Sequence, residues 1–319
     1  MITVNLAGYN VDADVLARVV EDHKIQRNDL TPETLSAAYA RISRDPRPVD
    51  ELRKQARQEV EKARQSNRAI IFQMGHHSVA EHAVFNFDIM GISRLALEEL
   101  EKFRLCSFTE KSQRYITLKD NFVVPPEIQG SSHEKVFIES CRRQFAAYDK
   151  FYHILKNHVF DKNAEYAADP KKRSLLEGWA KEDARYITPL ATEAQLGMTV
   201  NARNLELMLR RFASHSLAEI RQLGQALYKS VEHIAPSIIL FHKANAFDQK
   251  TYPELSRVWD DISRTGPAGE NHCDEGEVSC VTHTPDADAQ VAAALMHTAS
   301  RASFADIKQM INNSDEDLK

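Results

Sequence analysis

The sequence predicts an α+β protein with long helices and a small mixed or antiparallel sheet, and three observations carry this. Apolar residues recur at helical spacing over long segments, strand-like stretches are few and scattered, and no glycine-rich turn links a strand to a helix as in a doubly wound parallel sheet. At 319 residues the chain has room for one large domain or two small ones. A hydrophobic fraction of 43% beside 27% charged residues implies a folded protein with a sizeable core. The net charge of -5 argues against a general nucleic-acid binder, while leaving room for a local arginine cluster around a small phosphorylated ligand.

Thr31, Pro32 and Glu33 supply a cap, a preset φ and an acidic first turn, so a helix opens there. From Val49 to about Asn67 a charged helix follows, with Leu52, Ala56, Val60 and Ala63 on its buried stripe. Ala83, Phe85, Phe87 and Ile89 alternate with Val84, Asn86 and Asp88, the period of a half-buried strand. Gly91 and Ser93 then open a helix carrying Leu95, Leu97, Leu100 and Phe103, and Tyr115 to Leu118 reads as strand again. Helices are expected over His133 to Val159, Ser174 to Tyr186, Ala202 to Ser214 and Leu217 to Ala235, where Pro236 stops the last. Thr192 to Val200 has the composition of a strand.

Beyond Lys243 this regularity fades, which divides the chain into a domain over 1–242 and an extension over 243–319, with a linker at Gly266 to Glu277. The tail segment VTHTPDADAQVAAALMHTASRASFADI echoes LTPETLSAAYARISRDPRPVDEL near the N-terminus. It reads either as two similarly capped helices or as the start of a second copy of the same domain.

The N-terminus lacks the basic and apolar regions of a secretory signal, and no apolar run is long enough to span a bilayer. Cys106, Cys141, Cys273 and Cys280 are too few and too unevenly spaced for a disulfide framework, so a reducing, cytoplasmic setting is expected. His272, Cys273, Cys280 and His283 lack paired C-x-x-C spacing, and no metal is expected. Glycine-rich phosphate loops, G-x-S-x-G and H-E-x-x-H are all absent from the sequence.

Four polar clusters remain. His76, His77, Ser78, Glu81 and His82 form either a short capped helix, with Ser78 and Glu81 as a capping box, or the edge of a polar pocket. Lys102, Phe103 and Arg104 are followed, after seven intervening residues that include Glu110, by Ser112 and Arg114; guanidinium forks of this kind match phosphate and uracil-type carbonyls. Asn201 is a natural N-cap for a helix bearing Arg203, Arg210 and Arg211, and His215 follows Arg211 at helical spacing. Arg185 has an ordinary reading as a surface salt bridge to Glu182 or Asp183.

In order, these clusters resemble the flavin-dependent thymidylate synthases (the ThyX family), whose signature is R-H-R, seven or eight residues, then S-x-R. Here the stretch reads K-F-R, seven residues, S-Q-R; GHHSVAEHAVFNFDI, EDARYITP and TVNARNLELMLRRFASHSLAEIR extend the similarity over roughly residues 70 to 240. The resemblance implies a homotetramer with flavin and nucleotide between subunits and no cysteine nucleophile. It implies methylation of dUMP, with methylene-tetrahydrofolate as carbon donor and NADPH-reduced FAD as hydride source. Arg114, Arg185 and Arg211 then hold the nucleotide, with Ser112 and Glu110 beside them and Lys102 in the place of the first signature arginine; Ser112, Arg114 and Arg211 are the residues expected to polarise the ring. His76, Ser78, Glu81, Arg104, Asn201, Arg203 and His215 match flavin-site positions.

Three positions depart from the pattern: Lys102 for arginine, Phe103 for histidine and Thr109 for asparagine. Lysine keeps the charge but loses the planar fork, and phenylalanine neither donates nor accepts a hydrogen bond. A catalytically impaired flavin- or nucleotide-binding subunit and a UMP-type methylase are the alternative readings.

Overall fold

Residues Val84–Ser93 alternate inward and outward and form the central strand of a sheet whose inner face is the main core. The computed structural model describes residues 2–22, 30–265 and 282–313. Four strands, β1 (Thr3–Tyr9), β2 (Val84–Ser93), β3 (Ser107–Glu110) and β4 (Glu193–Asn201), pair antiparallel in the order β1-β2-β4-β3. Phe85, Phe87 and Ile89 of β2 point inward, as do Leu196, Met198 and Val200 of β4, while Asn86 and Asp88 face out.

The helices in chain order are α1 (Ala13–Asp22), α2 (Glu33–Arg41), α3 (Val49–Gln58), α4 (Val60–Asn67), α5 (Arg94–Glu101), α6 (Glu134–Lys162) and α7 (Ala164–Ala168). They continue as α8 (Arg173–Ala184), α9 (Ala202–Ala213), α10 (Ala218–Val231), α11 (Ala246–Thr265), α12 (Ala287–Thr298) and α13 (Phe304–Asn312). Leu205, Met208 and Phe212 of α9 and Ile220, Leu223 and Leu227 of α10 join the inner face of the sheet in one cluster, to which α5 adds Leu97 and Leu100. Burying such side chains contributes roughly 1.5–3 kcal/mol each.

The passage from β2 into α5 decides where the signature residues lie. Gly91 has φ +71°, where β2 loses register with β4 between Met90 and Ile92, and a side chain there would be strained. Ser93 then caps α5, its Oγ accepting the Ala96 N–H at 3.0 Å. Its own N–H and Oγ–H donate to the buried Glu219 of α10, at 2.6 and 2.7 Å. The sequence places Gly91 at the helix opening; it belongs instead to the strand's bulge.

Three other expectations are corrected. The stretch from Val49 to Asn67 is two helices, broken at Glu59 (φ −127°, ψ 61°), although Leu52, Ala56 and Ala63 share a core with α2 as the stripe implied. Tyr115 to Leu118 is not a strand. Its backbone polar groups are used by helix side chains: the Leu118 N–H donates to Tyr148 Oη at 3.2 Å, and the Tyr115 carbonyl accepts from Lys181 Nζ at 3.4 Å. The edge strand is Ser107–Glu110, just ahead, and β1 also went unread. Finally, Ser78 and Glu81 form no capping box: the 3-10 turn His77–His82 has no side-chain cap, and Glu81 pairs with Arg203.

The chain falls into two compact units, Met1–Val258 and Trp259–Lys319, dividing within α11. In the first, α6 and α8 pack through Tyr148, Tyr152, Ala180 and Ala184. Glu33, fully buried at the start of α2, ties the N-terminal helices to the segment after α10: its carboxylate accepts from Arg64 Nε at 2.6 Å and from Ser237 N and Oγ at 2.6 and 2.7 Å. In the second unit, Ala289 and Ala293 of α12 pack on Ile307 and Ile311 of α13. The expected linker from Gly266 to Glu277, with His272, Cys273 and Cys280, lies outside the described residues. Among the described residues no metal-binding cluster of His, Cys, Asp or Glu occurs, and no helix is long and apolar enough to cross a membrane.

Candidate functional site

The polar residues singled out in the sequence gather into three clusters, each set by the end of a helix. At the C-terminal end of α8, Glu182 receives two arginines. Arg185, in the 3-10 turn that continues the helix, brings Nη2 to 3.9 Å from its carboxylate, and Arg114 brings Nη1 to 3.8 Å. Arg114 arrives on the loop after β3, where its N–H donates to Ser112 Oγ at 3.3 Å and its guanidinium lies 5.0 Å from the Tyr115 ring centre. The loop rests on α8: buried Lys181 holds the Tyr115 carbonyl, and the Arg114 backbone carbonyl lies close over Gly178. Half-exposed pairs at these separations contribute on the order of 0–1 kcal/mol, so a phosphate can take both guanidinium groups from Glu182 at little cost.

The second cluster surrounds Glu99 on α5. Lys102 Nζ donates to it at 2.6 Å, and His215 Nε2 lies 3.6 Å away. His215 Nδ1 accepts the Leu217 N–H at 3.1 Å, so the ring proton sits on Nε2 and faces the carboxylate. Phe103, beside Lys102, turns the other way. Its half-buried ring meets Phe212 edge to face, 5.7 Å between centres, and packs on the main core. Arg211, one turn before His215, is exposed on α9 with no carboxylate partner among the described residues, because Asp248 pairs with Arg210 at 3.0 Å. Glu110 is engaged by Arg94, which also bonds Glu98 at 2.6 Å. Burial, then the charge of Glu110, pushes the carboxyl of nearby Glu101 above its usual range.

The third cluster is an open cleft of about 370 Å3 lined by Glu81, Arg104, Leu105, Cys106, Thr199 and Asn201, among others. Arg203 Nη1 pairs with Glu81 at 2.5 Å, and Asn201 caps α9 by accepting the Asn204 N–H at 2.9 Å, as its position implied. His76 and Ser78 are exposed on the neighbouring turn. Burial raises the Cys106 thiol to about 11, so it stays protonated at neutral pH and is no ready nucleophile.

Thus Arg114 joins Arg185, Lys102 joins His215, and Glu81 joins Arg203, while among the described residues Arg211 does not share the carboxylate that joins the first pair. The carboxylates that organise two of these pairs carried uneven signals. Glu182 was legible as a neighbour of Arg185 but not of Arg114; Glu99 could have been found only as the helical i, i+3 partner of Lys102.

An antiparallel α+β chain with guanidinium clusters at its helix ends is one class of small-anion-binding architecture, and sequence comparison makes the class specific. A model of the thymidylate synthase complementing protein family, Thy1, matches residues 25–237. The flavin-dependent thymidylate synthase of Clostridium tetani is 30% identical over 255 residues, covering 78% of this chain and 88% of that one. Its counterpart in Geobacter sulfurreducens is 36% identical over 172 residues, covering 53% and 65%. Among solved structures, the UMP/dUMP methylase PolB from Streptomyces cacaoi, bound with 5-Br dUMP, matches with a TM-score of 0.48 at 19% identity over 75% of this chain and 93% of that one. Thymidylate Synthase X from Helicobacter pylori, with FAD and dUMP, gives 0.41 at 18% identity, covering 75% and 99%. The chain belongs to the Thy1 family, that of the flavin-dependent thymidylate synthases.

Proposed function

We propose that this protein is a methyltransferase of the flavin-dependent thymidylate synthase type, acting on dUMP, with methylene-tetrahydrofolate as carbon donor, FAD as cofactor and NADPH as reductant. The observation that carries the reading is the meeting of Arg114 and Arg185 at Glu182. Two forks drawn from distant parts of the chain, separated by a carboxylate they hold loosely, suit a nucleotide phosphate and its uracil carbonyls. Arg211, left without a carboxylate, supplies the third guanidinium, and Ser112, half-buried beside Arg114, adds a hydroxyl. Polarisation of the uracil by these donors favours attack at its methyl-accepting carbon. Lys102, held by Glu99, adds a cation from α5, and Glu110 is tied to Arg94.

The donor set of the third cluster fits a polar, anionic, heteroaromatic cofactor. Arg104, Arg203 and His76 offer cationic or donor groups, Ser78 and Asn201 offer neutral ones, Glu81 orients Arg203, and Leu105 offers an apolar face to a ring. His215, beyond the opposite end of α9, keeps its defined N–H on Glu99 and joins a flavin site only through that second cluster. FAD, when bound, supplies the hydride; the residues' part is to bind it, orient it and exclude water.

A homotetramer with sites shared between subunits, in the cytoplasm, completes the proposal. Large apolar side chains stand exposed directly beside the site arginines, Leu105 (77% exposed), Tyr115 (70%) and Tyr186 (82%), as expected where a second subunit covers the site. A second reading, a flavin- and nucleotide-binding subunit without turnover, draws on Phe103 lying in the core and Lys102 being held by Glu99. The first test is the absorbance of the purified protein: a flavin band near about 450 nm supports both readings, and its absence after incubation with FAD removes both.

A further inference from the structure

Arg44, just beyond α2, lies outside the four polar clusters of the sequence reading. Its Nη2 is 3.2 Å from His76 Nε2, and its Nη1 is 2.9 Å from Met74 Sδ. A guanidinium only donates, so His76 accepts at Nε2 and keeps its proton on Nδ1. Neither partner is an anion.

The carboxylate next in sequence cannot neutralise it. Asp45 is committed to Arg47, accepting from its Nε, Nη2 and backbone N–H at 2.9, 2.6 and 3.1 Å. The Arg47 side-chain bonds, above all, hold the Asp45 carboxyl down at about 2. Arg44 thus has no carboxylate partner among the described residues and is exposed, with N–H donors to spare. The turn it reaches is also open. Gly75, between Met74 and His76, has φ +78°, and a side chain built there would meet nothing within 4 Å.

We infer that Arg44 and His76 form a phosphate-binding pair that holds the pyrophosphate of the flavin cofactor. This rests on the flavin reading proposed above and assigns to it a residue on a different element from the clusters already described. An uncompensated guanidinium braced by an imidazole at a glycine turn offers the planar, charge-assisted fork that phosphate oxygens accept. The oxidised isoalloxazine ring carries no net charge, so the charge of the fork favours the pyrophosphate over the ring.

The experiment is a fluorescence titration of the full-length protein with FAD, riboflavin and dUMP, in the wild type and in Arg44→Met and Arg44→Lys. Arg44→Met keeps much of the stem while removing the charge. The expected result is FAD affinity weakened roughly tenfold or more in Arg44→Met, partly restored in Arg44→Lys, with riboflavin and dUMP affinities unchanged. If Arg44→Met binds FAD like the wild type, or loses riboflavin equally, the inference is overturned while the flavin reading stands. A loss confined to dUMP overturns it too. A wild-type protein that binds no flavin removes the flavin reading itself, and this inference with it.

Discussion

Phe103 occupies the signature's histidine position, yet its ring is half-buried against the main core, 5.7 Å from Phe212 and nearly perpendicular to it at 86°. Restoring the family's residue with Phe103→His should therefore cost stability. An edge-to-face pair contributes about 0.5–1.5 kcal/mol beyond area, and a half-buried ring about half the 1.5–3 kcal/mol of a fully buried one. Together these give about 1.3–3 kcal/mol, and because imidazole keeps part of the apolar contact the expected loss is about 1–2.5 kcal/mol. Urea unfolding reads it as a lowered midpoint with the slope unchanged. Phe212→Leu and the double variant complete a cycle in which the coupling should be about 0.5–1.5 kcal/mol. A Phe103→His protein as stable as the wild type, with no coupling, would refute the assignment of this ring to the core.

Three further outcomes are expected. Arg64→Met leaves the fully buried Glu33 without its cation, which should lower stability by about 3–5 kcal/mol in denaturant unfolding; a change below about 1 kcal/mol would mean that the Thr31 hydroxyl and the Ser237 donors to its carboxylate suffice. Glu206 is raised by burial, although the Leu240 and Phe241 N–H groups bonded to it oppose the shift. The native state therefore holds that proton to higher pH than the unfolded chain. Its contribution to stability falls as pH rises from the ordinary glutamate value of 4.5 to the raised one, so Glu206→Gln should lose that part of the wild-type slope. A thiol reagent should label Cys106 slowly at neutral pH; rapid labelling would contradict a thiol held near 11.

How much was legible follows from where each signal resides. β2 could be read because its alternation is long and its inner side chains are large: Phe85, Phe87 and Ile89 lie at most 1% exposed. β3 is four residues at a sheet edge, with polar Ser107 and Thr109 facing out, too short for a period to emerge. The expected strand at Tyr115 to Leu118 failed because Tyr148 and Lys181, distant in sequence, use its backbone groups, and local pattern carries no trace of such partners. The same limit governed the site. Asn201 was readable as a cap because capping is local. Glu182 and Glu99 are local partners of Arg185 and Lys102, but the arrival of Arg114 and His215 at the same carboxylates depends on tertiary structure.

The most direct measurement of the central claim is product analysis after incubating the purified protein with FAD, NADPH, methylene-tetrahydrofolate and either dUMP or UMP. Methylated dUMP in the wild type, lost in Arg114→Met and in Arg185→Met, is expected. Bound flavin with no methylated nucleotide from either acceptor would contradict it, and would leave a protein that keeps its ligands without performing the transfer.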